Sequence, residues 1–260
     1  MPPRLYIDQA LRADSHLVLP PGAARHVQVL RLQPGAPLTL FDGAGGEWPA
    51  LVTHMGRSDV SVQVGAHAEV DRELALRVTI ALGMPANERM DGVVEKATEL
   101  GVAAIQPLMC ERSVLRLQGD RAAKKVAHWQ GVAQAACEQS GRTRVPRIEP
   151  VRTLAEWLAS LPADDLDASA GATERASDRG SRFVLSLRDA QPLAASLGAA
   201  SAGGSLICLS GPEGGLADAE EALARRAGFV PLSLGPRVLR ADTAPLALLA
   251  HLSLLALATA

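Results

Sequence analysis

The segment Leu209-Ser210-Gly211-Pro212-Glu213-Gly214-Gly215 has the residue types of a ligand loop. Its glycines let backbone amides and carbonyls come close to a bound molecule. It is not a phosphate cradle: the Lys and Ser/Thr of a P-loop are missing, and so is the G-x-G-x-x-G order. Glu213 would also repel a phosphate. The loop suits a ligand that carries positive charge and an adenine read by backbone groups. S-adenosylmethionine has both, a sulfonium with an ammonium and an adenosine without phosphates. A tight turn with no ligand explains the same residues, so this stretch alone leaves both readings open.

A second stretch, Leu234-Gly235-Pro236-Arg237-Val238-Leu239-Arg240-Ala241-Asp242-Thr243-Ala244, again follows a strand and precedes a helix. Two such loops at neighbouring strand ends can form one pocket in an open α/β sheet. Surface solvation is the plainer account of Arg237 and Arg240. Between Arg112 and Arg152, nine basic residues stand against three acidic ones, +6 in a chain whose net charge is −2. Phosphate-backbone binding needs such asymmetry; a solvated helix face and its flanks would also produce it. Asp91, Glu95 and Glu99 share one helix face by their spacing of four, and read as solvated rather than as acid–base groups. Trp48, Trp129 and Trp157 are too dispersed for a base-stacking platform. Cys110, Cys137 and Cys208 lack metal-ligand spacing and read as buried, reduced thiols of a cytosolic protein. The histidines are scattered, and no metal is expected.

The elements that must position these loops fall into two groups. Residues 4–70 read as short strands and turns. Valines alternate in Asp59–Val64, Pro37–Phe41 alternates likewise into the turn Asp42-Gly43, and Gly56-Arg57-Ser58 separates two strands. One helix, within Ala23–Arg31, interrupts them, which suggests a small β-barrel. After the polar run Glu69–Glu73, strands and helices alternate. Strands are expected at 76–82, 103–108, 182–187 and 205–209. Helices are expected at 87–100, 121–140, 153–161 and 218–227, the last capped by Asp218 with Glu221 and ended by Gly228. Such alternation implies a mainly parallel sheet covered on both faces. Residues 162–181, rich in Ala, Asp and Ser, read as a surface insertion. The expected domains are 1–72 and 73–260.

The final helix, 244–258, is apolar nearly all round and must be buried on every side. At 1.5 Å per residue it is too short for a ~30 Å bilayer core. A second subunit is the economical partner, with Leu248, Leu252 or Leu255 in the contact. The chain has 260 residues, 48% hydrophobic and 21% charged, which excludes a disordered or fibrous protein. With aromatics at only 3%, the core must be made of Leu, Val and Ala. Met1-Pro2-Pro3-Arg4 leads into no apolar run, so no signal peptide is expected.

Leu209-Ser-Gly-Pro-Glu-Gly-Gly-Leu216 with Glu221, and Leu234-Gly-Pro-Arg-Val-Leu-Arg240, resemble the cofactor loops of the RsmE family. Three more stretches agree. Glu95–Val102 leads to Pro107 and Glu111-Arg112-Ser113. Ala136–Arg142 leads to Val145-Pro146. His26 with Val29-Leu30-Arg31 resembles the N-terminal motif. That family comprises SPOUT-class methyltransferases of 16S ribosomal RNA. The resemblance implies an α/β protein: an N-terminal PUA-like β-barrel over 1–72 and a SPOUT α/β domain over 73–260. It alone implies a trefoil knot, since threaded chains are rare. It implies transfer of a methyl group from S-adenosylmethionine to N3 of one uridine, uracil-1498, of the small ribosomal subunit's RNA, in the cytoplasm and by a homodimer.

Under that resemblance the cofactor would be held by Leu187, Gly211, Pro212, Glu213, Gly214, Gly215, Leu234, Gly235, Val238 and Leu239. Arg240, Arg142 and Arg112 are candidates for the cation that steadies the N3 anion; Glu138 and Asp242 are candidates for the base. RNA contacts are expected from His26, Arg31, Arg112, Lys124, Lys125, Arg142 and Arg144. Ala241-Asp242-Thr243 stands where Thr-Glu-Thr is usual, which shortens the acid's reach. A 2′-O-ribose methyltransferase, a 3-amino-3-carboxypropyl transferase and a non-catalytic RNA-binding protein remain as rival readings.

Overall fold

The computed structural model describes residues 2–57, 59–86, 89–162, 181–196 and 204–258. The chain divides into two compact units, Met1–Glu73 with Ala133–Val145, and Leu74–Val132 with Pro146–Ala260.

The first unit is a five-stranded sheet in the order β1-β3-β4-β5-β2. Its strands are β1 (Arg4–Tyr6), β2 (His16–Val18), β3 (Pro37–Phe41), β4 (Trp48–Met55) and β5 (Val60–Val64), with helix α1 (Pro21–Val29) between β2 and β3. The valine alternation works as expected. Val60, Val62 and Val64 are buried, and Ser61 and Gln63 are not. Their buried face joins Leu38 and Leu40 of β3, Val52 of β4 and Val27 of α1 in one core. α1 starts with Pro21, where a missing N–H costs nothing.

The unit is completed by a segment distant in sequence. Residues 133–145 hold the end of helix α3 (Gly119–Ser140) and the turn after it. Glu138 accepts the Tyr6 N–H at 2.9 Å, Ala44 bridges Arg144, and Arg142 forms an ion pair with Glu73.

The second unit is built on an all-parallel sheet, β11-β13-β10-β12-β6-β7-β8, with β9 beside β7. These are β6 (Leu76–Gly83), β7 (Ala104–Met109), β8 (Arg147–Ile148), β9 (Arg152–Thr153), β10 (Ser181–Leu185), β11 (Gln191–Pro192), β12 (Gly204–Ser210) and β13 (Val230–Ser233). The helices are α2 (Arg89–Glu99), α3, α4 (Leu154–Ser160), α5 (Leu193–Ser196), α6 (Asp218–Arg226) and α7 (Thr243–Ala258). Leu206, Cys208 and Leu209 of β12 are all buried, so both sheet faces are covered. α4 and α6 share one cluster with Ala81, Leu108, Val184 and Leu209. α7 lies against α2 and β12, and Ser253 anchors it by donating to the Leu100 carbonyl at 2.7 Å.

Two details differ from the sequence reading. α6 begins one residue earlier in its cap: Ala217 is the N-cap, and its N–H is taken by Glu220 at 3.0 Å. Asp218 instead pairs with Arg188, and Glu221 accepts from Ser186 and Arg225. In α7, Leu248 and Leu252 are buried within the chain's own fold, whereas Leu254 and Leu255 are exposed. The greater part of the 162–181 insertion, along with Asn87 and Glu88, lies outside the described residues. Among the described residues, no helix is long and apolar enough to cross a membrane.

Candidate active site

Parallel strands end on one edge, so the loops that follow them gather there. The register sets three of these loops side by side. Val184 pairs with Leu209, and Leu185 with Leu232, so the chain leaves β10, β12 and β13 at nearly one level. These loops enclose a cavity of about 590 Å³, within the range of small-molecule sites.

The β12 loop forms one wall. Gly215, at φ +70°, closes a turn by donating to the Pro212 carbonyl at 2.8 Å. A Cβ on Gly211 would come within 2.8 Å of the Leu216 nitrogen, so only glycine fits there. Arg112 reaches in from the β7 loop and donates to the Gly214 and Leu216 carbonyls at 3.1 and 3.2 Å. Glu213 accepts the Ala86 N–H at 3.0 Å and pairs with Arg89 at 3.5 Å.

The β10 loop forms the second wall and is tied to α6. The Ser186 hydroxyl donates to Glu221 at 2.9 Å. Arg225 donates to that carboxylate and to the Arg188 carbonyl. Arg188 in turn holds the Asp218 carboxyl below its ordinary value. The β13 loop forms the third wall, where Leu234, Val238 and Leu239 line the cavity with Arg237 and Arg240. The Arg240 carbonyl accepts the N–H groups of Thr243 and Ala244, both at 3.0 Å, and so fixes the start of α7. The Arg237 and Arg240 guanidiniums have no partner among the described residues.

Most of the expected cofactor residues line this one cavity: Leu187, Gly211 through Gly215, Leu234, Val238 and Leu239. Gly235, at φ +112°, shapes the β13 loop behind Leu234 without lining the cavity. Of the five candidate catalytic residues, Arg240 and Arg112 line it. Asp242 lines a separate groove with α2 and α7 residues. Arg142 and Glu138 belong to the first unit. Arg142 is 4% exposed, and Glu73 takes up its charge, which makes it part of that unit's interior rather than a cation offered to RNA. Burial pushes the Glu138 carboxyl up, against the opposing Tyr6 N–H, His26 and Arg4.

Arg142 is thus withdrawn from the exposed part of the +6 stretch. Arg112 is at the cavity, Lys124 is exposed and Lys125 half-buried on α3, and Arg142 is internal. Arg144, His26 and Arg31 are exposed in the first unit. Arg89, Ser186 and Arg188 line the cavity and were missed by sequence reasoning. The available signal was that Ser186–Arg188 directly follow a third apolar strand end, after Phe183-Val184-Leu185. All three cysteines are buried; burial pushes each thiol up to about 12 and leaves it no nucleophile.

Residues 72–253 match the RNA methyltransferase domain family, and residues 19–65 match the RNA methyltransferase PUA domain. The fold is thus α/β with an N-terminal PUA domain and a SPOUT-type methyltransferase domain. The ribosomal RNA small subunit methyltransferase E of Bacillus subtilis is 34% identical over 87% of this chain and 85% of its own length. That of Synechocystis is 32% identical over 88% and 69%. A crystal structure of the Neisseria gonorrhoeae protein of the same name, bound to S-adenosylmethionine, covers 98% of both chains at TM-score 0.86 and 34% identity. A Legionella pneumophila protein in complex with the same cofactor superposes at TM-score 0.85 and 31% identity. The chain belongs to the ribosomal RNA small subunit methyltransferase E family.

Proposed function

We propose that this protein transfers a methyl group from S-adenosylmethionine to N3 of one uridine, uracil-1498, in 16S ribosomal RNA. The three-loop cavity carries this reading, because it joins a glycine-built cradle to two guanidiniums with no partner among the described residues. Its residues fit the cofactor. Gly211 lets the turn close on itself, and Gly215, with open space beside it, leaves room for close backbone approach. Leu187, Leu234, Val238 and Leu239 offer apolar cover for an adenine, and Glu213 and Glu221 offer negative charge to a sulfonium or ammonium. When bound, S-adenosylmethionine supplies a methyl group already activated on sulfur.

The chain's task is then to make the uridine nitrogen a nucleophile. Its N3 proton is given up to solvent water only well above neutral pH, so the anion left behind and its two flanking carbonyl oxygens need a preorganised cation to be populated near neutrality. Arg240 is that group, with Arg112 holding the cradle. A ribose 2′-hydroxyl is a weaker acid than N3–H, so solvent would not suffice and a free base beside it would be needed. Both lining carboxylates are already committed, Glu213 to Ala86 and Arg89, and Glu221 to Ser186 and Arg225. That favours the base over the ribose as acceptor.

In this reading the β module over residues 1–72 contacts RNA around His26 and Arg31, with Arg144 of the same compact unit beside the module in function. The domain over 73–260 carries the knot and the chemistry, with Lys124 and Lys125 on the RNA side. Two copies pair through α7, where Leu254 and Leu255 remain exposed. A ribosomal substrate places the protein in the cytoplasm. The test is mass spectrometry of digested rRNA from a strain lacking the protein. Loss of 3-methyluridine from 16S rRNA is expected. Intact 3-methyluridine, or loss of a ribose methylation instead, would overturn the reading.

A further inference from the structure

Helix α1 buries Ala24 and Val27 and turns its opposite side outward. That side carries Arg25, His26, Val29 and Leu30, all exposed. Val29 is 72% and Leu30 43% exposed, side by side at the helix end. Val29 is a poor helix former with little to pack on, so folding gives no reason for it.

Arg31 comes next, in a strained backbone. The helix ends in a Schellman turn, in which the Leu32 N–H donates to the Val27 carbonyl at 3.3 Å and the Arg31 N–H to the Gln28 carbonyl at 2.9 Å. The turn holds Arg31 at φ +53°, in the left-handed region where glycine is usual. Leu32 beyond it packs on the core of the β module. The fold therefore uses the turn but not the arginine, whose guanidinium has no partner among the described residues. Stability is given up to keep that side chain.

The charge around this patch is one-sided. No Asp or Glu occurs between Asp14 and Asp42. Gln28 donates to the Gly56 and Arg57 carbonyls at 3.1 and 3.3 Å, which brings the turn between β4 and β5 beside α1. Arg25 and Arg57 are exposed and, like Arg31, have no side-chain partner among the described residues. Asp59 of that turn faces His54 at 3.4 Å. His26 lies within electrostatic reach of Glu138 and is not counted with these cations. An aliphatic pair bordered by guanidiniums fits a molecule that is apolar and anionic at once.

We propose that Val29, Leu30 and Arg31 seat one unpaired nucleotide of the RNA substrate, with its base against the two aliphatic side chains and its phosphate on the guanidinium. The inference rests on the function proposed above, which puts this module against RNA. A duplex hides its base faces in the stack, whereas an unpaired nucleotide offers a base face and a phosphate together. The seat therefore prefers looped or single-stranded RNA. If Arg31 served only the helix dipole, its loss would weaken the fold instead of relieving strain.

Arg31→Gly separates these uses. Glycine relaxes the turn, so the melting temperature should rise by about 2 °C. Affinity for a fluorescent single-stranded fragment of 16S rRNA around uracil-1498 should fall about tenfold. The slope of log affinity against log salt should flatten by about 0.7. Val29→Ser should weaken the same binding about fivefold with the slope unchanged, and should leave binding to the fragment paired with its complement as it was. Neither variant should alter the affinity for S-adenosylmethionine. A lower melting temperature in Arg31→Gly, unchanged RNA affinity in either variant, or an equal loss on the duplex in Val29→Ser would overturn the inference. Variants that bind RNA like the wild type but change its mass in light scattering would assign the patch to a second copy of the chain instead. These results leave the proposed function standing; failure of the wild type to methylate 30S subunits would overturn that function.

Discussion

Arg112 and Gly214 are fitted to each other at two points. The guanidinium donates to the Gly214 carbonyl at 3.1 Å, and a Cβ on Gly214 would come within 3.0 Å of the Arg112 Cβ. The same nitrogen reaches the Leu216 carbonyl at 3.2 Å. One side chain thus holds both ends of the turn that walls the cavity. Hydrogen bonds from charged groups contribute about 1.5–3 kcal/mol. Arg112→Ala should therefore weaken S-adenosylmethionine binding roughly 10- to 100-fold. Calorimetry without RNA checks this, and undiminished affinity would remove Arg112 from the cradle.

Arg240 makes a different prediction. Its carbonyl starts α7, while its guanidinium, at the cavity, has no partner among the described residues. Arg240→Ala keeps the carbonyl and removes the cation. Turnover on 30S subunits should fall by about 10²–10³, the usual effect of deleting one donor to a developing anion, with cofactor affinity retained. Full turnover would sink the assignment.

Glu138 sets a pH dependence in the first unit. Burial holds its carboxyl above the ordinary value despite the Tyr6 N–H, His26 and Arg4. A raised acid favours folding most when protonated, so its contribution is full below the unfolded value and lost as pH rises through the folded one. Glu138→Gln keeps an acceptor for Tyr6 and carries no charge. Its melting temperature should exceed that of the wild type at pH 7.5, and the gap should close toward pH 4. A constant or reversed gap would mean that burial does not dominate there.

Lys124 and Lys125 lie on α3, away from the cavity lining. If they contact phosphate, each adds roughly 0.7–0.9 to the slope of log affinity against log salt. Replacing both with Glu should weaken RNA binding and flatten that slope in filter-binding titrations. An unchanged slope would make them solvated side chains only.

For the dimer, the relevant leucines are the exposed pair. Leu254 is 68% exposed and Leu255 is 39% exposed on a helix that is apolar nearly all round. The wild type is expected to give twice the monomer mass by light scattering at micromolar concentration, and Leu254→Glu with Leu255→Glu the monomer mass. A wild-type monomer would refute the pairing.

Much of this architecture was legible because its signals are local. The valines at 60, 62 and 64 announce a half-buried strand, and the Gly-Pro runs after β12 and β13 announce loops at a sheet edge. What escaped depends on partners far away in sequence. Arg142 reads as one more cation in a basic stretch until Glu73 is seen to neutralise it in the interior. Asp218 reads as a helix cap until Arg188 draws it outward and Glu220 takes the Ala217 N–H. β1 and β2 have three residues each, too few to display a period. Ser186 and Arg188 carry no motif and join the site only because β10 lies between β12 and β13.

The inclusion of residues 133–145 in the first unit bears on how the chain is born. Glu73, Tyr6 and Ala44 find partners in Arg142, Glu138 and Arg144, which leave the ribosome much later. At 5–20 residues per second, the wait is on the order of ten seconds. During it, the nascent β module has its valine core but not its closing contacts. An excised piece ending at Glu73 would lack those contacts permanently, so the first unit is not separable from the chain at that point.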